Sequence, residues 1–547
     1  MLKYNIQPGK NIINLNITDI YEANIGSGKI KIHLTKSSDD ASSIFLYNKK
    51  DKKVLKTKIE YCLWYNEIGD SIDISCYTKD INEINIIYYS NSFKKIEYSI
   101  ENIQNKNVES IFKMGNYVDT LNKLEDKMKT RYKTNKEKIY KLIENEFNNN
   151  IENINDSFPL SERTYGVNEI NAMVDVLLSD RLTMGNKVKE FEKQFADYIG
   201  SNYAIMVNSG SSANLLAMAV LTNFKYRNHL KKGDRIIVPT VCWSTSVWPI
   251  IQMGLEPVFV DINIDTLNAD INKIEELLKT DNKIKGMVVV HILGNSTNMN
   301  KLLILKEQYN LVLMEDTCES LGSKYNDKYL GTIGECGTYS FYFSHHITTI
   351  EGGMVVTDDF EIYQLLKCLR AHGWSRGIEG YSNEKLDNRF CFINIGYNLR
   401  PMEIQAAMGS IQLKQLSVLN ENRIKNYKKI VNLINNTENN ILTCFKSENN
   451  CYPAWFALPF ILNKKYNKQY YLKYLENNKI DTRPIVTGNF ARQPVFEDLN
   501  LNISPENFEN AEIIHNQGFF IGLSPFEMTD EKIQKLVSIL LSYKQIG

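Results

Sequence analysis

The sequence predicts an α/β protein: a sheet of parallel strands covered on both faces by helices, a small α+β domain after it, and an all-β module in front. Three observations carry this. From Phe158 onward, short apolar runs (IIVPT, PVFVDI, MVVVHILGN, LVLMEDT) alternate with helical stretches, the pattern of a buried parallel sheet. Before about Asn107, Ile- and Tyr-rich runs such as KIKIHL, SIDISCY and INIIYY alternate with Asn, Asp, Gly and Ser, as strands do with turns. After about Gln412 the long amphipathic run QLKQLSVLNENRIKNYKKIVNLI leads into the mixed segments PAWFALPFIL and RPIVTGNFARQP.

At roughly 150 residues per domain, 547 residues allow three or four domains. The expected boundaries are a β module at 1–107, a helical connector at 108–157, a large α/β domain at 158–411 and a small domain at 412–547. The connector rests on LNKLEDKMKTRYKTNKEKIYKLIENEF, which is charged, free of Gly and Pro, and apolar at three- and four-residue spacing. Helices are expected around Asn168–Ser179 and Asn186–Tyr198. The β module has no catalytic or metal-ligand spacing, and no internal repeat is found.

Lys and Arg number 64, as do Asp and Glu, so the broad basic surface that nucleic acid or an anionic membrane would favour is absent. Neither is expected as a partner. The nine cysteines include no CxxC or CxC pair, the N-terminus lacks the order of a secretory leader, and no run reaches the roughly 18 apolar residues of a membrane span. A cytosolic protein with reduced thiols and no metal site is expected.

The residues that point to chemistry cluster at the expected carboxyl ends of the strands, where sheets of this kind bind ligands. NSGSSANLL sets Gly210, Ser211 and Ser212 between a strand and a helix, where free N–H groups form a phosphate cradle, although a serine there is by itself only a cap. MEDTCESLG ends a strand in Asp316, with Glu319 three residues on. A buried carboxylate at that place keeps a cofactor ring nitrogen protonated, and Glu319 is placed to bond a ring hydroxyl; as a bare pair the two would only cap a helix. Trp243, in VPTVCWSTSVWP, suits either ring stacking or the core. In SFYFSHHITTIEGG, Ser340 is a further phosphate contact and the adjacent His345 and His346 suit proton transfer.

In this order, with RLTMG (Arg181–Gly185), GYNLRPMEIQAAMGSIQL (Gly396–Leu413) and GFFIG (Gly518–Gly522), the motifs resemble the DegT/DnrJ/EryC1/StrS family of nucleotide-sugar aminotransferases over about 390 residues. The resemblance implies a fold-type-I, aspartate aminotransferase-like fold, pyridoxal 5'-phosphate (PLP) as cofactor, and a homodimer with shared active sites. Asn398 would then reach the neighbouring subunit's cofactor phosphate. The sequence departs from the family at one place: aminotransferase members carry a Schiff-base lysine where this chain has His345, and no Lys occurs from Gly331 to Leu366.

Members with histidine there are sugar 3-dehydratases. By that resemblance the substrate is a GDP- or CDP-linked 4-keto-6-deoxysugar, the cofactor is held noncovalently, largely as pyridoxamine phosphate (PMP), and glutamate regenerates its amine form. His345 would be the catalytic group, because imidazole moves protons but forms no stable bond to the cofactor aldehyde. Arg400 and Arg483 are candidates for the diphosphate or the glutamate carboxylate, and His346 for a substrate contact. The stretch from Cys368 to Cys391 lacks the CxC pair of the iron–sulfur-containing members, so no cluster is expected. Two other readings stand beside this one: an aminotransferase using a lysine from elsewhere in the chain, and a non-catalytic binding homologue.

Overall fold

The computed structural model describes residues 157–544, apart from 382, 384, 388, 389 and 439, a helix at 135–149, and eight strands nearer the N-terminus. The chain divides into two compact units, Met1–Leu142 and Ile143–Gly547. In the first, one sheet has the order Leu2–Tyr4, Tyr21–Ile25, Gly28–Lys36, Ile81–Tyr89, Ile96–Glu101, and a second the order Lys53–Leu55, Ile44–Asn48, Tyr61–Tyr65. The expected strand SIDISCY and residues 108–134 and 150–156 of the expected connector lie outside the described residues.

The second unit is built on a seven-stranded sheet of β1 (Tyr203–Val207), β2 (Arg235–Pro239), β3 (Glu256–Val260), β4 (Ile284–Val290), β5 (Val312–Asp316), β6 (Cys336–Ser340) and β7 (Gly353–Thr357), in the order β3-β2-β4-β5-β6-β7-β1. An all-parallel sheet was expected, but β7 runs antiparallel to both neighbours. The Glu351-Gly352-Gly353 turn sends the chain straight back beside β6, without the helix that a parallel crossover needs. Ser340 and Val207 both pair with Gly353, so the carboxyl ends of β6 and β1 lie level, separated only by the start of β7. Any Cβ at Gly353 would lie 2.3 Å from the Ser209 carbonyl oxygen; glycine is what permits this closeness.

Helices cover both faces: α1 (Val167–Leu177), α2 (Asn186–Ile199), α3 (Gly210–Leu221), α4 (Ser244–Gln252), α5 (Ile271–Thr280), α6 (Met299–Tyr309), α7 (Phe360–Arg370) and α8 (Glu403–Asn436). Along each strand successive side chains go to opposite faces. Met287 and Val289 of β4 and Leu313 of β5 pack in one core with α5 and α6, whereas Val288, Val290 and Met314 pack in another with α3. A third core joins α2, β6 and α8, with Phe191, Phe195, Tyr339 and Phe341 in edge-on or tilted contact. Each fully buried phenylalanine there contributes about 1.5–3 kcal/mol.

The small sheet is antiparallel, ordered β8 (Leu442–Cys444), β9 (Ala457–Leu462), β11 (Gly518–Gly522), β10 (Thr482–Arg483). Helices α9 (Lys468–Asn477), α10 (Glu509–Gln517) and α11 (Asp530–Leu541) accompany it. The expected boundary at 411/412 falls inside the 34-residue α8. That helix starts just after Pro401, where the Gln405 side chain accepts from the Met402 N–H (2.8 Å), and it runs through Gly409, buried against the Phe191 ring, without a break. No helix among the described residues is long and apolar enough to cross a membrane.

Candidate active site

The carboxyl ends of β1, β2, β4, β5 and β6 open into one cavity of about 410 Å³. Its β1 wall is the start of α3. Ser209 caps that helix, its hydroxyl accepting from the Ser212 N–H (3.1 Å) and donating to Ser212 Oγ (3.0 Å). Ser209, Gly210 and Ser211 line the cavity, and the first N–H groups of α3 have no intrahelical acceptor, so this end attracts an anion. Ser212 is turned into the cap and does not reach the wall. Across the gap stands Ser340, and a Cβ at Gly210 would come within 2.5 Å of its Cβ.

Asp316, the last residue of β5, is buried on the α3 side of the sheet. Its Oδ2 accepts from Asn214 Nδ2 and from Ser246 Oγ, both at 2.7 Å, and its Oδ1 accepts from the Cys318 N–H (3.2 Å). The Asn214 side chain is itself held by Thr338. Glu319 lies beside it, accepting from the Leu293 N–H (3.1 Å); burial, opposed by that bond and aided by the charge of Asp316, pushes its carboxyl up to about 7. Burial also pushes the Cys318 thiol up, so it stays uncharged. Trp243, at the start of α4, is 55% exposed and lines the cavity, where its ring can stack on a planar ligand.

The connection from β6 to β7 carries Tyr342, Ser344, His345 and Glu351 into the wall. His345 is half-buried, with Tyr342 (6.0 Å between ring centres) and Phe456 (5.3 Å) edge-on to its ring. Its Nδ1 is buried and has no hydrogen-bond partner among the described residues. Burial outweighs the carbonyls of Cys318 and Ser340 and the charge of Asp316, and pushes the imidazole down to about 4. At neutral pH it is therefore an unprotonated base.

Seven residues singled out from sequence, Gly210, Ser211, Trp243, Asp316, Glu319, Ser340 and His345, line this one cavity. Others lie elsewhere. His346 is buried beneath the loop, with Nε2 donating to the Ala454 carbonyl (2.8 Å), so it is a tether and not a substrate contact. Arg483 is exposed and donates to the Thr482 carbonyl beside it. Asn398 is exposed, and its Oδ1 accepts from Arg400 Nε (2.9 Å); neither reaches this wall. Sequence reasoning missed Ser209, Asn214, Ser246 and Tyr342. Asn214 stands four residues after Gly210 and Ser246 three after Trp243, so helical spacing gave a signal for both. Nothing in the sequence marked Tyr342.

A family model described as the DegT/DnrJ/EryC1/StrS aminotransferase family matches residues 164–541. The chain belongs to this family. GDP-4-keto-6-deoxy-D-mannose 3-dehydratase of Escherichia coli O55:H7 is 40% identical over 385 residues, 69% of this chain and 97% of that protein. A solved structure of GDP-4-keto-6-deoxymannose-3-dehydratase with a trapped PLP-glutamate geminal diamine is 39% identical, with a TM-score of 0.65, covering 70% of this chain and all of that one. A variant of that dehydratase with bound GDP-perosamine is 38% identical, with a TM-score of 0.66 over the same shares.

The residues of this chain fit the family's PLP-type cofactor. The start of α3 and Ser340 suit its phosphate, Asp316 its ring nitrogen, Glu319 its ring hydroxyl and Trp243 its face. The tight approach of Gly210 to Ser340, which any larger residue would fill, and the unpartnered His345 Nδ1 are what such a site requires. Among the described residues no group of three or more His, Cys, Asp or Glu is placed to hold a metal ion.

Proposed function

We propose that this protein is a PLP/PMP-dependent 3-dehydratase that removes the C3 hydroxyl of GDP-4-keto-6-deoxymannose or a close stereochemical relative, with glutamate as the source of electrons. The single observation that carries this reading is a histidine, in a stretch free of lysine, at the turn of a cavity whose other walls suit the cofactor's ring and phosphate. Two relatives at 38–40% identity, both GDP-4-keto-6-deoxy-D-mannose 3-dehydratases, support GDP as the nucleotide over the dTDP of a 3-dehydratase relative at 30%.

When bound, the cofactor supplies an amine for the 4-keto group and a ring that takes up electrons. His345, uncharged at neutral pH, removes a proton; as imidazolium it then has one to give to the departing hydroxyl, which leaves as water. Asp316, fixed by Asn214 and Ser246, holds the proton on the ring nitrogen. Glu319, half protonated near neutrality, has a proton to share with the ring hydroxyl. The balance closes: the sugar loses one oxygen, glutamate becomes 2-oxoglutarate, and its nitrogen leaves as ammonia.

A homodimer with shared sites belongs to the same reading. The cavity wall bears Asp316, Glu319 and Glu351 and, among the described residues, no Lys or Arg. A cofactor phosphate and a nucleotide diphosphate need cations that this wall lacks. Asn398 and Arg400, exposed or half-exposed and outside their own cavity, are the groups we assign to a neighbouring copy's site.

The test combines purified protein, PLP, labelled glutamate and GDP-4-keto-6-deoxymannose. Mass spectrometry should show a sugar lighter by one oxygen, together with labelled 2-oxoglutarate. An aminated sugar would instead identify a transaminase. His345→Lys should bind the cofactor covalently, with a new absorbance band, and lose deoxygenation; dehydration at the native rate would exclude the role given to His345.

A further inference from the structure

The connection between β6 and β7 is held from behind by the segment that leads into β9. His346 donates to the Ala454 carbonyl at 2.8 Å, and the Phe456 ring touches both histidines, with centres 5.3 Å from His345 and 5.8 Å from His346. That segment is pinned in turn. The Ala454 N–H donates to Ser323 Oγ (2.9 Å), Ser323 Oγ donates to the Gly294 carbonyl (2.7 Å), and the Phe456 N–H donates to the Leu293 carbonyl (3.0 Å). Leu293 is left-handed (φ 50°), and its own N–H is the one that Glu319 accepts. A Cβ at Gly294 would lie 2.4 Å from the Ala454 oxygen, so the two segments are in close contact.

We propose that Phe456 and the His346–Ala454 hydrogen bond are positioning elements for His345: they fix its ring at the cavity wall and keep water from its far side. This rests on the reading of His345 as the base. The paired histidines then have separate tasks, the second anchoring the first through its bond to Ala454. Tyr342 also stands edge-on to the ring, and the His346 ring has its Nδ1 buried without a partner among the described residues. The ionisable groups around His345 are Asp316 at the end of β5, Cys318 and Glu319 just after it, Tyr342, His346 and Glu351 from its own connection, and Arg423 of α8 behind His346. Phe456 brings no charge to this set. Its contribution is dryness, which disfavours imidazolium.

The experiment follows the seven histidine Cε1 resonances of the full-length apoprotein against pH by NMR, with His345→Asn to assign His345. In the native protein His345 should not titrate above about pH 5. Phe456→Ala should move its titration up toward about 6.5. The acid limb of kcat/KM in the PLP-loaded enzyme, which requires the neutral base, should move up with it, while kcat falls on the order of tenfold to a hundredfold at nearly constant KM. Phe456→Tyr should restore both. If Phe456→Ala does not fold, Phe456→Leu and His346→Gln give the same readouts. A folded variant in which neither the titration nor the acid limb moves overturns the proposal. Retained deoxygenation in His345→Asn would instead remove the base reading and leave the titration result standing.

Discussion

Glu315 and Asp316 are consecutive residues of β5, and the pleat sends them to opposite faces of the sheet with opposite tasks. Glu315 is saturated: its two oxygens accept from His291 Nε2 (3.1 Å) and from the N–H groups of Gly331, Ile333 and Gly334 (2.7–2.8 Å). Burial alone would push its carboxyl up, but these bonds, led by His291, hold it below the ordinary range. Asp316 receives three bonds and still faces the cavity. Two buried carboxylates thus divide into one that ties the 331–334 loop to the sheet and one that faces the cavity. Burial alone does not tell a structural charge from a functional one; the number of acceptor sites left unfilled does.

Three substitutions press on this contrast. The largest effect is expected for Glu315→Gln. Its amide must point N–H at existing donors on one oxygen position, costing about 3–5 kcal/mol of stability, read as a lower denaturant midpoint, with turnover per folded molecule retained. Because the carboxyl is depressed in the fold, its contribution is present above the unfolded pKa and is lost as the pH falls through the folded one, so the variant should also lose the acid limb of the stability profile. Next is Asp316→Asn: with the amide oxygen kept on Asn214 and Ser246, only the 3.2 Å bond from the Cys318 N–H is lost, so the denaturant midpoint should fall much less than for Glu315→Gln while turnover falls about 10²–10³-fold. A midpoint shift as large as that of Glu315→Gln would erase the contrast.

The smallest effect is expected at Glu319, which shares features of both. Its carboxyl, at about 7 against an ordinary 4.5, holds its proton more tightly folded than unfolded, so the apoprotein should lose about 2–3 kcal/mol as the pH rises between those values. Glu319→Gln should flatten that slope, and urea midpoints at pH 5 and 7.5 check it.

Much of the large domain was legible because strand ends carry punctuation. Asp316 and His345 each stand one polar residue beyond an apolar run, and the positions that stack, cradle or protonate a ring lie near other strand ends. The reversed β7 was not legible: GMVVT has the same composition whichever way it runs, and only the short return from β6 decides direction. His346 was misjudged because adjacency does not say which face a side chain takes; here one histidine meets the cavity and the next is buried on Ala454. The start of α8 was missed because the catalytic-looking motif before it and the helical pattern after it form one continuous helix from Glu403 on.

The wall without lysine bears on supply as well as chemistry. A cofactor with no covalent tether to the protein is a dissociable ligand, and its occupancy follows mass action. Dilution or dialysis then empties the site, and the folded state gains stability with the logarithm of free cofactor concentration. An enzyme of this design borrows its cofactor from a common pool, and the rate at which it works is tied to how full that pool is.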